Sequence, residues 1–297
     1  MFKKLATSIF VIGAMILAPI VASAEIKLYG QGTMYGQDGT KSTDELQWKS
    51  KASRVGIKGT QKLNENLSFF GKIELGVDLN ASGADSTVSG RYGYIGLNHK
   101  GIGSISIGRV RSIFDEFVSG NSDIFTVVGG GSLQAPGSKI SETLKFERKF
   151  MGADVAFLAQ SKSNSNDGID FSEIGALWNG IGVVLASDDV NSKDYYGLGY
   201  TLRVPFVKSL SLGSTYSVLK QKSSADVKAV ELSANYKLGG DLSVLAALGD
   251  TNAANDDGFL ALGVEKGLGK NAKLFVELER DRDSDDNTYA AGFKLVF

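Results

Sequence analysis

Catalytic chemistry has few candidate residues in this sequence. A hydrolase with a serine nucleophile needs a histidine and an orienting group within hydrogen-bond reach. His99 is the only histidine of the 297 residues, and it stands at the end of a predicted strand beside the short stretch 100–103. We interpret it as a lone surface histidine, and we predict no catalytic residue and no cofactor.

Metal and phosphate sites are also poorly supported. The acids Asp281, Asp283, Asp285 and Asp286 could bind a divalent cation, but such a run is more typical of a solvated loop, so no metal site is predicted. The glycines at 129–131 lack the Lys-Ser/Thr pair of a phosphate loop. Cysteine is absent, which excludes disulfides and thiolate ligands. The formal net charge of −1 implies no basic face for nucleic acid.

The stretch 111–138 combines charged and apolar residues and carries the strongest functional signal. Arg109 and Arg111 precede three carboxylates, those of Asp115, Glu116 and Asp123. The stretch is far longer than any other connection, and long loops in compact folds are usually functional or disordered. Five of its apolar residues need a surface to pack on, namely Ile113, Phe114, Phe117, Ile124 and Phe125. We therefore do not expect a free surface loop.

The segments that must position these residues alternate apolar and polar side chains with a period of two, which predicts β-strands. Phe69, Ile73 and Leu75, for example, alternate with Lys72 and Glu74. The pattern predicts sixteen strands, near 25–37, 45–61, 67–79, 88–99, 103–110, 139–149, 153–161, 169–178, 181–188, 193–203, 208–221, 226–237, 241–250, 258–266, 271–280 and 287–297. The segments 103–110 and 181–188 are short, so fourteen strands remain an alternative.

The connections between these strands fall into two classes that take turns along the chain. Short ones lie near 63–66, 100–103, 179–180, 238–241 and 267–271, and longer polar ones near 38–43, 80–86, 162–168, 188–192, 251–257 and 281–287. Short turns at one end and longer loops at the other are typical of bacterial outer-membrane barrels. We therefore predict an all-β fold, a transmembrane antiparallel β-barrel that closes without an edge. About sixteen strands leave a water-filled interior.

The first 24 residues have the three parts of a cleavable secretory signal. Lys3 and Lys4 form a cationic start, an apolar run covers 9–21, and the small residues 22–24 follow. A membrane anchor is the alternative, but Gly13 and Pro19 interrupt a run that is shorter than the roughly 20 residues of a spanning helix. We predict cleavage after Ala24, which leaves one barrel domain over 25–297.

Several motifs in the predicted strands belong together. They are Leu28-Tyr29-Gly30, the stretch 53–59 with the sequence Ser-Arg-Val-Gly-Ile-Lys-Gly, Gly90-Arg91 before Ile95-Gly96-Leu97, Gly108-Arg109 before the long stretch, and the terminal Phe297. Each motif is weak alone, but the combination is specific and spans the whole chain after residue 24. The chain resembles the Gram-negative trimeric general porins.

This resemblance implies a homotrimer in the outer membrane of a Gram-negative cell. The expected function is passive diffusion of small hydrophilic solutes and ions. Expected partners are membrane lipid and lipopolysaccharide, and the barrel-assembly machinery during biogenesis. Phe297 resembles the signal that this machinery reads, although closure against the first strand explains it equally well.

The resemblance also implies that the third external loop, here the stretch 111–138, folds into the lumen and forms a charged constriction. Its acids would be Asp115, Glu116 and Asp123. Strand parity and motif position place the basic side chains of the facing wall at Arg54, Lys58, Lys72, Arg91 and Lys145. Each of these bases is equally explained as a solvated lumen charge away from the narrowest point. Arg109 and Arg111 either brace the loop or contact solute.

Two features leave the ion preference open. Gln31 stands one residue after the Leu-Tyr-Gly motif, where some relatives have a lysine, so it is expected to be a polar lumen residue. The chain is also short for the family, which suggests trimmed external loops. Short loops disfavour a surface adhesin on the same scaffold, whereas a substrate-specific channel remains an open alternative.

Overall fold

The structure is a computed structural model that describes residues 24–39, 45–81, 87–161, 168–222, 224–253, 258–282, 284 and 286–297. The strands in these ranges are β1 (Glu25–Gly39), β2 (Gln47–Ser50), β3 (Arg54–Lys62), β4 (Leu67–Val77), β5 (Val88–His99), β6 (Gly103–Arg111), β7 (Lys139–Phe150), β8 (Ala153–Gln160), β9 (Phe171–Trp178), β10 (Ile181–Asp188), β11 (Lys193–Arg203), β12 (Leu210–Gln221), β13 (Ser224–Gly239), β14 (Leu242–Thr251), β15 (Phe259–Gly267), β16 (Ala272–Asp281) and β17 (Asn287–Val296). A five-residue helix, α1 (Ile113–Phe117), and a 3-10 turn (Ser119–Asn121) follow β6.

The strands form one closed antiparallel barrel. Each pairs with its neighbours in the chain, and β1 closes the ring against β17 over nine residue pairs, from Gln31 opposite Val296 to Gly39 opposite Thr288. Because β2 and β3 both pair with β1, they are two parts of a single strand. The break between them contains Ala52, whose φ of 55° is rare for a residue with a side chain.

The prediction of a sixteen-strand transmembrane barrel is therefore confirmed, and the fourteen-strand alternative is wrong. The short segments in question are β6 and β10, which pair on both sides along their lengths. Several predicted strand bounds agree with the structure to the residue, including those of β5, β10 and β11. Among the described residues, no helix is long and apolar enough to span a membrane.

The period of two gives the barrel wall two different faces. One face, which we call the apolar face, exposes large hydrophobic side chains such as Leu28, Ile73 and Val276, which are 78%, 58% and 62% exposed. An apolar surface that continues around every strand is unfavourable in water and is the expected surface toward hydrocarbon. The alternate positions form the polar face, which carries residues such as Lys72 and Glu74 in β4.

Tight turns lie at one end of the barrel, which we call the short-turn end. Met151-Gly152 joins β7 to β8, and Asn179-Gly180 joins β9 to β10. All four residues have positive φ, between 49° and 83°, as the preferred two-residue hairpins require. The connection 112–138 between β6 and β7 lies at the opposite end; we call it the long connection.

Candidate functional site

The long connection begins with a helix that is held at its first turn. Ser112 caps α1, because its Oγ accepts a hydrogen bond from the backbone N–H of Asp115 at 3.2 Å. The buried carboxylate of Glu173 in β9 accepts two more, from Ser112 Oγ at 2.7 Å and from the N–H of Ile113 at 2.6 Å. Glu173 belongs to the polar face, so the start of the long connection contacts that face.

Apolar side chains fix the same part of the long connection. Ile113 and Phe114 are fully buried and Phe117 nearly so, and they pack in one cluster with residues of β8 to β12, including Leu158 and Val184. The cluster shows where the predicted hydrophobic residues of this stretch find their surface. Phe125 packs against a second cluster, which includes residues of β14 to β17.

Glycines in the wall make this close approach possible. A Cβ atom at Gly182 of β10 would lie 1.8 Å from the carbonyl oxygen of Phe117. A Cβ at Gly213 of β12 would lie 1.9 Å from that of Asn121. Any side chain at these positions would displace the backbone of the long connection, so the wall and the connection fit only because both residues are glycine.

Further along, wall carboxylates accept hydrogen bonds from the backbone of the long connection. Glu277 of β16 accepts from the N–H groups of Thr126 at 2.7 Å, Val127 at 2.7 Å and Val128 at 3.0 Å. Glu279 accepts from the N–H of Gly129 at 2.6 Å.

A carboxylate of β13 provides a further attachment between these points. Ser122 Oγ donates to Glu231 at 2.7 Å, and Glu231 is buried. The N–H of Gln134 also donates to Ser217 Oγ of β12 at 2.9 Å. Together with Glu173 and Glu277, these contacts attach the long connection to four separate strands of the polar face.

Two of the predicted loop acids are paired with bases. Asp115 accepts from Arg111 Nε at 2.6 Å, and its backbone carbonyl accepts from Arg111 Nη2 at 3.0 Å. Glu116 forms an ion pair of 2.9 Å with Lys145, whose Nζ also lies 2.8 Å from Glu147. Lys145 therefore contacts the acidic part of the long connection. It is only 4% exposed, so it has little contact with bulk water.

Asp123 has a different environment. Its side chain reaches water and shares a cavity of about 540 Å³ with Gln31, Lys51, Arg54 and Lys294. The surrounding protein limits its hydration, which raises the pKa of Asp123. The ammonium group of Lys51 acts in the opposite direction. This cavity is therefore lined both by a carboxylate of the long connection and by basic side chains of the barrel.

Three of the predicted wall bases surround one carboxylate that sequence reasoning missed. Glu74 is 2% exposed, and its oxygens lie 2.7 Å from Arg91 Nε, 3.1 Å from Lys72 Nζ and 3.9 Å from Arg54 Nε. The hydroxyl of Tyr29 donates to the same carboxylate at 2.8 Å. A buried carboxylate is stable here because it is paired and hydrogen-bonded on both oxygens.

A β-bulge arranges the other side of this cluster. The register between β4 and β5 shifts at Glu74, so the consecutive residues Arg91 and Tyr92 both reach the polar face. The Nζ of Lys72 lies 4.1 Å from the centre of the Tyr92 ring. The Nζ of Lys58 lies 5.7 Å from the centre of the Tyr29 ring, which places all four of these wall bases in one region.

Comparisons with known proteins decide the family. A model of the Gram-negative porins matches residues 11–287. The chain belongs to the Gram-negative porin family. It is thus an outer-membrane channel for passive diffusion, and its family and fold are those of a channel rather than of an enzyme.

Solved structures share the fold of this porin at low sequence identity. OmpF of Salmonella typhi in complex with daunomycin has a TM-score of 0.75 at 16% identity, covering 92% of this chain and 97% of that one. An anion-selective porin from Comamonas acidovorans has a TM-score of 0.74 at 15% identity, covering 93% and 100%. OmpT of Vibrio cholerae in its trimer form has a TM-score of 0.69 at 16% identity, covering 93% and 100%. No curated protein sequence matches the chain significantly.

The remaining predicted residues of the porin have local partners. Arg109 does not bond a loop carboxylate; it donates to the carbonyl oxygen of Arg91 at 3.0 Å and to Ser141 Oγ at 2.7 Å. Gln31 is buried, and its Nε2 donates to the carbonyl oxygen of Ala52 at 3.2 Å. Asp283 and Asp285 lie outside the described residues.

The terminal Phe297 of the porin closes the barrel together with the Leu-Tyr-Gly motif. Gly30 and Phe297 exchange two backbone hydrogen bonds, at 2.8 and 3.0 Å. A Cβ at Gly30 would lie 2.4 Å from the Phe297 ring, so the glycine leaves room for that ring. These contacts agree with closure against the first strand, and they leave the role of Phe297 in assembly a prediction.

Proposed function

We propose that this porin passes small hydrophilic solutes and ions through a water-filled lumen lined by the polar face, and that the long connection folds into this lumen and narrows it. The observation that carries the proposal is the attachment of one connection to Glu173, Glu231 and Glu277. These carboxylates lie on three separate strands and all belong to the polar face. A loop that projected away from the barrel would not reach these side chains.

The proposed constriction has charges of opposite sign on its two sides. Asp115, Glu116 and Asp123 belong to the long connection, whereas Arg54, Lys58, Lys72 and Arg91 belong to the wall. Opposed rows of charge across a narrow aqueous passage orient dipolar solutes and disfavour apolar ones. The low-dielectric wall concentrates that field. In this proposal Lys145 and Arg111 position the loop through their ion pairs with Glu116 and Asp115. Arg109 bonds Arg91 and Ser141 on the neighbouring strands and does not contact solute either.

The channel function is tested by reconstituting the purified protein in planar bilayers. We expect discrete conductance steps whose size rises linearly with the salt concentration. Liposomes that contain the protein should swell in solutions of small sugars. Saturation with one sugar class would instead support the substrate-specific alternative. The absence of any conductance from a correctly folded barrel would refute the proposal.

The constriction is tested by the reversal potential in a salt gradient. Asp123→Asn should shift it toward anion selectivity and Arg54→Gln toward cation selectivity, because the two groups line the same cavity with opposite charge. Lys149→Gln is the matched control; this lysine is exposed and paired with Asp154 at 2.7 Å. If neither variant differs from the control, the constriction assignment is wrong.

The proposal includes the protein's biogenesis, partners and location. Residues 1–24 act as a signal that is cleaved after Ala24, and the barrel, residues 25–297, assembles through Phe297 into the lipid and lipopolysaccharide of the outer membrane as a homotrimer. The start of β1 at Glu25 supports the proposed boundary of the barrel domain. The trimer form of OmpT supports the proposed homotrimer. Amino-terminal sequencing of the exported protein should begin at Glu25. Gentle detergent extraction should yield a trimer, and a monomer would contradict that part.

The proposed channel has no catalytic role. His99 ends β5, where its Nδ1 accepts a hydrogen bond from the N–H of Gly101 at 3.2 Å. It is therefore part of a turn at the short-turn end. His99→Asn should leave the conductance unchanged, and a loss of conductance would contradict this assignment.

A further inference from the structure

The break between β2 and β3 contains one residue more than the strand it faces. Pairing with β1 ends at Ser50 and resumes at Arg54, so the three residues 51–53 stand opposite only two, 32–33. We call residues 51–53 the bulge. A bulge bends its strand and changes the direction of a side chain. The positive φ of Ala52 is unfavourable for a residue with a side chain, and such conformations concentrate at functional sites.

Contacts with β1 hold the backbone of the bulge. Ser53 is buried, and its Oγ accepts a hydrogen bond from the N–H of Thr33 at 2.9 Å and donates to the carbonyl oxygen of the same residue at 3.3 Å. Gln31 Nε2 donates to the carbonyl oxygen of Ala52 at 3.2 Å. The first residue of the bulge, Lys51, therefore starts from a fixed point of the wall and extends a long side chain from it.

This side chain contacts the long connection. Lys51 Nζ donates a hydrogen bond to the carbonyl oxygen of Val127 at 2.5 Å. The N–H of Val127 donates to Glu277 of β16 at 2.7 Å. In the barrel, β17 and β1 lie between β16 and β2. Three strand spacings of about 4.8 Å separate the two supports by about 14 Å along the wall. One residue of the long connection is thus held from two distant points.

The residues next to this double contact cover the wall between the two points. Val128 packs in one cluster with Tyr35 of β1 and Ala290 of β17, and Val127 packs against the same cluster. Glu277 holds this segment on the side of β16, and Lys51 holds it on the side of β2. Lys51 also lines the cavity of about 540 Å³ described above. Its side chain therefore supports the edge of the segment that borders the aqueous space.

We infer that Lys51 is a positioning residue, a strut between the bulge and the long connection, which fixes the edge of this connection and thereby limits the size of solutes that pass. The inference rests on the proposed function, since it requires a conducting lumen. A charged donor makes the hydrogen bond stronger than a neutral one. The strut acts through the position of the long connection, so its effect extends to neutral solutes.

The strut is tested by single-channel recording of the full-length protein in planar bilayers. Lys51→Met keeps a side chain of similar length that cannot donate a hydrogen bond. Loss of a charge-assisted bond that water partly replaces should raise the population of the detached edge about tenfold, which increases the open-channel noise. Lys51→Arg keeps a charged donor and should record as the wild type. Lys294→Met is the matched control, because it removes a positive charge from the same cavity and leaves the strut intact.

Liposome swelling in neutral sugars tests the size limit without an effect of charge. Lys51→Met should raise the swelling rate in a trisaccharide relative to that in a monosaccharide, because the released edge gives way to larger solutes. Lys294→Met and Lys51→Arg should keep the ratio of the wild type. Lys51 is exposed, so all of these variants should fold with an unchanged strand content by circular dichroism.

The two proposals fail in different ways. A folded barrel without conductance overturns the proposed function. Normal conductance, with equal noise and equal sugar ratios in Lys51→Met and Lys294→Met, overturns the strut alone. A Lys51→Arg variant as noisy as Lys51→Met would show that the hydrogen bond to Val127 is not what holds the long connection, and would also overturn the strut.

Discussion

Replacing Glu277 with glutamine should release one end of the long connection. Both carboxylate oxygens of Glu277 are in use: one accepts from the N–H of Thr126, and the other from the N–H groups of Val127 and Val128. The side chain is 1% exposed, so water cannot replace the lost acceptor. Glutamine keeps one oxygen and brings an amide NH₂, which faces backbone N–H groups and cannot accept their hydrogen bonds.

The expected cost follows from the number of bonds. Hydrogen bonds to a charged group contribute about 1.5–3 kcal/mol each. With the glutamine oxygen toward Val127 and Val128, the N–H of Thr126 loses its acceptor, and the two remaining bonds no longer have a charged one. A net loss of about 3 kcal/mol shifts the equilibrium between the attached and the detached connection by roughly a hundredfold. The contacts of Glu173 and Glu231 remain, so only the part around residues 126–129 is expected to detach.

Single-channel recording measures this change directly. We expect Glu277→Gln to increase open-channel current noise and to raise the mean conductance, because the narrowing segment fluctuates. The barrel itself should remain folded, with an unchanged strand content by circular dichroism. Glu65→Gln is the matched control, since Glu65 is an exposed acid of the turn at 63–66. A folded variant whose noise and conductance equal those of the control would refute the reasoning.

Three further predictions concern the same site. Gly182→Val should force Phe117 off the wall and change the conductance. Gly90→Ala is the control and should leave the conductance unchanged, because a Cβ added there meets open space. Equal conductance of the two variants would contradict the close approach of the long connection to the wall. The reversal potential should move toward anion selectivity as the pH falls, starting above the usual Asp range because the pKa of Asp123 is raised, and Asp123→Asn should abolish this shift. Glu74→Gln should increase anion selectivity and lower stability by about 1–3 kcal/mol, measured by reversal potential and thermal unfolding, and an unchanged reversal potential would count against the charge cluster.

The sequence predicts most of the barrel because the two environments of the wall impose a period of two on every strand. β10 and β11 follow this pattern without interruption, and their predicted bounds agree with the structure. The bounds of β5 agree as well, although the bulge at Arg91 interrupts its alternation. The break between β2 and β3 was not predicted, because it depends on the backbone conformation of Ala52 rather than on polarity.

The helix α1 was not predicted for a related reason. Five residues are too few for a helix to be stable on its own propensity. Its formation depends on the Glu173 carboxylate and on the burial of Phe114, and both partners come from distant strands. Period and propensity within 111–138 do not contain that information.

The wall carboxylates of the site were missed because strand parity gives the face of a residue but not its neighbours across the lumen. Glu231 and Glu277 lie within the predicted strands 226–237 and 271–280, and nothing local marks them as acceptors for the long connection. A signal did exist in the glycines. Gly197 and Gly199 alternate on the polar face of β11, where added Cβ atoms would meet Phe114 and Asn121. A run of small residues on one face indicates that another segment of backbone lies against it.

The ion preference shows most clearly why the spatial arrangement matters more than composition. The formal net charge of −1 suggests near balance. In the barrel, however, Glu173, Glu231 and Glu277 are buried beneath the long connection and accept its hydrogen bonds, so a passing ion does not contact them. The bases of β1, β3, β4 and β5 outnumber the carboxylates Glu25 and Glu74 with which they pair, and Lys27 and Arg54 line open cavities. The field that a solute meets is therefore positive on balance, and we expect the wild-type channel to prefer anions. A reversal potential of the cation-selective sign would show that the buried glutamates still act across the lumen.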